Sequence, residues 1–180
     1  DVHIAIDFNI GIMAAVVFAV RAGQVHILED IQNVLDTESL ARKIKERYLD
    51  KGHKVYAYPD PAGRARKTSA VAGATDFSIL ESYGIRTIAR SAAPPIIDSV
   101  NAVNRKFLNA AGDIDMFIHP NAASTIKSLE RTVWMENNIN TAQISKSEGV
   151  EHWTDALRYA IEYLFPVRAS TKATSSGFMF

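Results

Sequence analysis

The chain has 180 residues, 47% of them hydrophobic, with 20 basic and 20 acidic side chains and no cysteine. This describes one soluble globular domain with a real core, short for two; it excludes disulfides and thiolate metal sites and fits a cytoplasmic setting. No apolar run reaches the roughly 18 residues of a membrane span, and zero net charge excludes a strongly basic, free-standing DNA-binding module.

The chain opens Asp1-Val2-His3, with neither an initiator Met nor a signal peptide, and is expected to be cut from something larger. Residues Val2 to Asn9 alternate, with Ile4, Ile6 and Phe8 on one face and Ala5, Asp7 and Asn9 on the other, as a half-buried strand does. Ile12 to Val20 and Val25 to Ile31 read as two more strands, joined by the turn Arg21 to Gln24, so the first three form an antiparallel meander. Asp36 or Thr37 caps a helix with the stripe Leu40, Ile44 and Tyr48, ended by Gly52. Lys54 to Tyr58 is a short buried strand, expected to lie parallel through a crossover. Pro59 to Ser69 is a loop rich in Pro, Gly and basic residues, followed by a helix from Asp76 to Tyr83 and a strand from Ile85 to Ile88. Pro94-Pro95 opens a helix with Ile96, Val100, Val103 and Phe107 on one side; Ile114 to Ile118 is a strand, and Asn121 to about Trp134 a helix. Residues 136 to 150 are polar and read as a loop or small hairpin. A last helix runs from about Val150 to Phe165, stopped by Pro166, and the Ser/Thr-rich residues 167–180 read as a flexible tail beyond a domain of residues 1–166. The expected fold is α/β: a ribonuclease-H-like mixed sheet, three antiparallel strands then parallel ones, with helices on both faces.

Three aspartates stand out. Asp7 lies mid-strand in an apolar setting, where a carboxylate is costly unless it is hydrogen-bonded, paired or metal-bound. Asp60 follows a buried strand in Tyr58-Pro59-Asp60-Pro61-Ala62-Gly63; this is turn chemistry, but it also falls at a strand's carboxyl end, where ligands of open α/β sheets gather. Asp155 sits near the start of the last helix, at the edge of an apolar arc of Trp153, Leu157, Ala160 and Leu164; an acidic residue is favoured there in any helix. Together, a strand, a strand end and a packed helix can bring three carboxylates to one point. Oxygen ligands without cysteine suit Mg²⁺ or Mn²⁺, and a pair of such ions about 4 Å apart serves phosphodiester hydrolysis.

His152, one helical turn before Asp155, is a ligand, a proton shuttle or a surface residue. Lys146 precedes it in the polar loop. Arg64, Arg66 and Lys67 put three positive charges beside Asp60, where a phosphate backbone would lie, although a solvated loop reads the same way. Lys67-Thr68 is not an ATP-binding loop, because Arg66 stands where that motif needs Gly.

The segments Ile4-Ala5-Ile6-Asp7-Phe8-Asn9 and Tyr58-Pro59-Asp60, and above all Lys146…His152-Trp153-Thr154-Asp155-Ala156-Leu157-Arg158-Tyr159, resemble the C-terminal nuclease domain of the large terminase subunit of tailed bacteriophages. The resemblance covers about residues 1 to 165. It implies an endonuclease that cuts concatemeric double-stranded viral DNA during genome packaging, with Asp7, Asp60 and Asp155 as catalytic metal ligands, two ions with DNA bound, and His152, Lys146 and Asn9 as supporting groups. It also implies an ATPase motor domain of the same subunit, a portal and a small terminase subunit as partners, the cytoplasm of an infected bacterial host as location, and no membrane. The isolated domain is expected to be a monomer.

Other readings remain open on the residues alone. A junction resolvase or transposase core would share the fold and the metal chemistry. Actin-like and sugar-kinase ATPases also carry an Asp on a first hairpin, but they need two such domains. A non-catalytic scaffold would keep its carboxylates for structure.

Overall fold

A computed structural model describes residues 1–8, 13–65, 74–135, 143–145 and 149–167. Among them a six-stranded sheet forms from β1 (Val2–Asp7), β2 (Ala14–Arg21), β3 (Gln24–Ile31), β4 (Val55–Pro59), β5 (Arg86–Thr87) and β6 (Met116–Ile118). The helices are α1 (Thr37–Arg47), α2 (Asp76–Ser82), α3 (Ile96–Phe107), α4 (Ala123–Arg131) and α5 (His152–Leu164). The strand order is β5-β4-β1-β2-β3-β6. β1–β2 and β2–β3 pair antiparallel, while β1–β4, β4–β5 and β3–β6 pair parallel. This is the mixed sheet with helices on both faces that the sequence predicts.

The period-2 alternation of β1 divides the core. Ile4 and Ile6 join Leu40, Ala41 and Ile44 of α1 and Leu80 of α2 on one face. Ala5 joins Val16, Phe18, Tyr58, Ala102, Val103 and the α5 residues Ala156, Leu157, Ala160 and Ile161 on the other. Leu157 and Ile161 are fully buried, each contributing about 2 kcal/mol by removal from water. α5 lies directly on β1, β2 and β4, and α3 and α4 pack against it in turn.

The helix ends follow their caps. Asp36 accepts from the Ser39 backbone N–H at 2.6 Å. α1 stops at Arg47 rather than running to Gly52; a separate 3₁₀ turn, Leu49–Lys51, intervenes before Gly52 takes φ 84°. α4 ends at Arg131, short of the predicted Trp134, and Trp134 forms an isolated antiparallel β-bridge with Ile144. Met135 N–H donates to Gln143 O at 2.9 Å and Ser145 N–H to Val133 O at 2.8 Å; most of the 136–150 segment read as a loop or small hairpin, residues 136–142 and 146–148, lies outside the described residues. The start of α4 is capped from across the sheet: the buried Asp30 carboxylate accepts from the backbone N–H groups of Ser124 (2.7 Å) and Thr125 (3.2 Å). Asp30, which matches no motif, is thereby accounted for as structure. Residues 168–180 of the expected tail lie outside the described residues. No helix among the described residues is long and apolar enough to cross a membrane.

Candidate active site

The site lies at the carboxyl ends of two parallel neighbours. In the β1–β4 register Ile6 stands opposite Pro59, and the next backbone N–H, that of Asp60, donates to Ile6 O at 3.0 Å. This bond sets Asp60 beside Asp7, the last residue of β1. Asp7 shares the parity of Ala5 and so faces α5. Asp60 also caps a 3₁₀ turn, Pro61–Arg64, its carboxylate accepting from Ala62 N–H at 2.9 Å. The turn reading and the site reading of Asp60 are therefore compatible.

α5 supplies the third carboxylate. Asp155 is 7% exposed, buried rather than at the edge of the apolar arc, because α5 is covered by the sheet on one side and by α3 and α4 on others. Its Oδ1 accepts from Arg158 Nε at 2.7 Å. One turn earlier, His152 places Nδ1 3.3 Å from Asp7 Oδ2. His152 is half-buried with its ring against the Asp7 carboxylate.

The electrostatics report the convergence. Burial, then the negative charge of Asp155, pushes the Asp7 carboxyl up to about 6; His152 opposes the shift and Asp60 adds to it. Burial likewise pushes the Tyr159 hydroxyl up to about 12; Arg158 opposes this, and Asp60, Asp155 and Asp7 all add to it. The charges of Asp60 and Asp155 thus act on Asp7, and all three carboxylates act on Tyr159, as nearby like charges do.

The donor set suits a hard cation: carboxylate oxygens beside an imidazole, with cysteine absent from the chain. Self-repulsion at Asp7 is what a bound dication would relieve. As placed, the side chains are engaged with the protein, and among the described residues no three acidic or histidine groups yet stand close enough to enclose an ion. The residues fit such an ion in the chemistry of their donors.

The other predicted residues divide. Arg64 donates from Nη2 to Ala89 O at 3.0 Å and from Nη1 to Arg90 O, and its guanidinium lies 4.7 Å from the Phe77 ring centroid. It ties the turn after Asp60 to the segment after β5, while remaining exposed. Asn9, Arg66, Lys67 and Lys146 lie outside the described residues. Glu29 pairs with Arg47 at 2.9 Å and accepts from Tyr48, and Asp76 accepts from Thr37. Arg158, Tyr159 and Ser99 at the site were not singled out from sequence. The i,i+3 spacing of Asp155 and Arg158 is a signal that could have found the first of them.

Gly63 closes the turn against the site. A Cβ at this position would stand 2.3 Å from Phe8 Cε2 and 3.3 Å from Phe77 Cε2, and Phe8 follows Asp7 directly. Gly63→Ala should therefore force the Phe8 ring to move and cost about 1–3 kcal/mol, as overpacking does. Urea unfolding checks this; an unchanged midpoint would mean that Phe8 yields freely.

No protein-family model matches the sequence, and no curated protein matches it. Solved structures do. The large terminase from a thermophilic bacteriophage aligns with a TM-score of 0.65 at 16% identity, over 91% of this chain and 39% of that one. The large terminase nuclease from thermophilic phage G20c with bound magnesium aligns at 0.62 and 14%, over 89% and 80%. The large terminase nuclease domain from bacteriophage SPP1 with bound Mn aligns at 0.59 and 13%, over 91% and 86%. At these identities the likeness is one of fold: the chain has the ribonuclease-H-like fold of large terminase nuclease domains. It spans 39% of the length of the first of these three proteins.

Proposed function

We propose that this chain is the nuclease domain of a viral large terminase, a divalent-metal-dependent endonuclease that cuts concatemeric double-stranded DNA during genome packaging. The observation that carries the reading is that Asp7 and Asp60 stand at the adjoining ends of β1 and β4 under α5, which carries Asp155, with Asp7 raised first by burial and then by the charges of Asp155 and Asp60. Asp7, Asp60 and Asp155 would hold Mg²⁺ or Mn²⁺, two ions with DNA bound, which activate water and stabilise the leaving oxygen.

The chain's own residues have defined parts. The sheet fixes Asp7 and Asp60 through backbone bonds, so their spacing is set before any ligand arrives. α5 brings His152 to Asp7, where its ring orients that carboxylate. In the loop after Asp60, Arg64, Arg66 and Lys67 are proposed to meet DNA phosphates. With zero net charge, the domain should hold DNA weakly alone. An ATPase motor domain of the same subunit, a portal and a small subunit are the proposed source of further grip, in the cytoplasm of the infected host. The isolated domain is proposed to be monomeric.

Incubation with supercoiled plasmid tests the reading. Nicked and linear products are expected with Mn²⁺ or Mg²⁺ and none with EDTA. Undiminished cutting in EDTA would overturn the metal mechanism. Neither cutting nor Mn²⁺ binding would leave a scaffold with structural carboxylates.

A further inference from the structure

Arg158 is more completely held than a neutralising partner of Asp155 would be. It is 5% exposed, and a buried guanidinium is tolerated only where its N–H groups meet acceptors. Nε donates to Asp155 Oδ1 at 2.7 Å, Nη1 to Ser99 Oγ at 3.1 Å, and Nη2 to Tyr159 Oη at 3.1 Å, with the guanidinium 4.4 Å from the Tyr159 ring centroid. Ser99 is fully buried on α3, and its own hydroxyl donates back to Ile96 O at 2.8 Å, leaving a lone pair for Arg158. The plane of the guanidinium is therefore set by two helices, and the guanidinium in turn sets one oxygen of Asp155. A planar fork can do this; the point charge of a lysine cannot.

We propose that Arg158 is a positioning residue for metal binding, held by Ser99 and Tyr159 so as to fix the Asp155 carboxylate facing Asp7 and Asp60. The inference rests on the nuclease reading above and deepens it. Arg158 does not replace the ion, because its single charge leaves the three carboxylates net negative. Groups that orient a ligand in this way change metal affinity when removed, by about 10- to 100-fold. A competitor that must release Asp155 would act with the opposite sign.

Isothermal titration with Mn²⁺ on the whole chain tests this without reference to cleavage. Arg158→Gln should weaken Mn²⁺ binding by about 10- to 100-fold, and Arg158→Lys, which keeps the charge, by about tenfold. Ser99→Ala, which leaves Arg158 in place but removes one anchor, should weaken it several-fold. Circular dichroism in EDTA checks that each variant is folded; if Arg158→Gln is not, Arg158→Lys and Ser99→Ala carry the test. Wild-type affinity in Arg158→Lys would show that charge alone matters, and wild-type affinity in all three that Arg158 is purely structural. Tighter binding would show that it competes with the ion. Each of these results overturns the proposal while the nuclease reading stands. No Mn²⁺ binding by the wild type would overturn both.

Discussion

Asn in place of Asp7 or Asp155 is expected to lower plasmid cleavage by about a hundredfold or more, with the fold retained. The amide keeps the shape of the carboxylate but removes a charge that the metals need, and metal-held charge stabilisation accounts for several kcal/mol of barrier reduction. Asp60→Asn should behave alike, and it is the more informative variant. Asn still offers an oxygen to Ala62 N–H, so the 3₁₀ turn survives, and the change isolates the charge from the turn. Cleavage time courses with Mn²⁺ decide. If Asp60→Asn cuts like the wild type, Asp60 is a turn residue only. Wild-type rates in Asp7→Asn or Asp155→Asn would remove the site altogether.

In EDTA, Asp7→Asn should also stabilise the protein, by an amount that grows as pH rises from about 4 and is complete above about pH 6. Burial and the negative charge of Asp155 hold the Asp7 carboxyl at about 6 in the folded chain, against 3.8 in the unfolded one. The folded state thus keeps a proton that the unfolded state has lost. Stability is fully present below about pH 4, falls as pH rises towards about 6, and stays lower above it. Asn escapes this loss, so the difference between variant and wild type should grow across that window by about 2–3 kcal/mol. For a domain of this size that is roughly 5–10 °C in Tm. Thermal unfolding at about pH 4 and about pH 8 measures it. Parallel pH dependence in the two proteins would show that Asp7 is not strained by its neighbours.

Much of the site was legible because the sheet is coded by alternation. Ile4 and Ile6 against Ala5 and Asp7 placed Asp7 on a definite face, and the helix between β3 and β4 implied the parallel pairing that sets Asp60 beside it. Asp155 was legible as a residue but not as a buried one. A helix read alone shows its apolar arc, not how many neighbours cover it, and α5 is covered by the sheet, α3 and α4. Ser99 illustrates the same limit. The apolar stripe of α3 predicts Ile96, Val100, Val103 and Phe107 on one side; Val103 is buried, but the other three are half-buried, and Ser99 and Ala102 are buried beside Val103. A hydroxyl there makes sense only once Arg158 is seen against it. Asp30 is the converse case. Nothing in the sequence near it accounts for a buried carboxylate, because its partners, the first N–H groups of α4, are more than 90 residues away.

Joint binding of the divalent ion by Asp7, Asp60 and Asp155 is the centre of the proposed function. Anomalous diffraction at the manganese edge, from crystals of the chain soaked in MnCl₂, tests it most directly. Manganese density bounded by carboxylate oxygens of all three residues, with His152 alongside, is the expected result. Manganese bound elsewhere, or none at a concentration that supports cleavage, would contradict it.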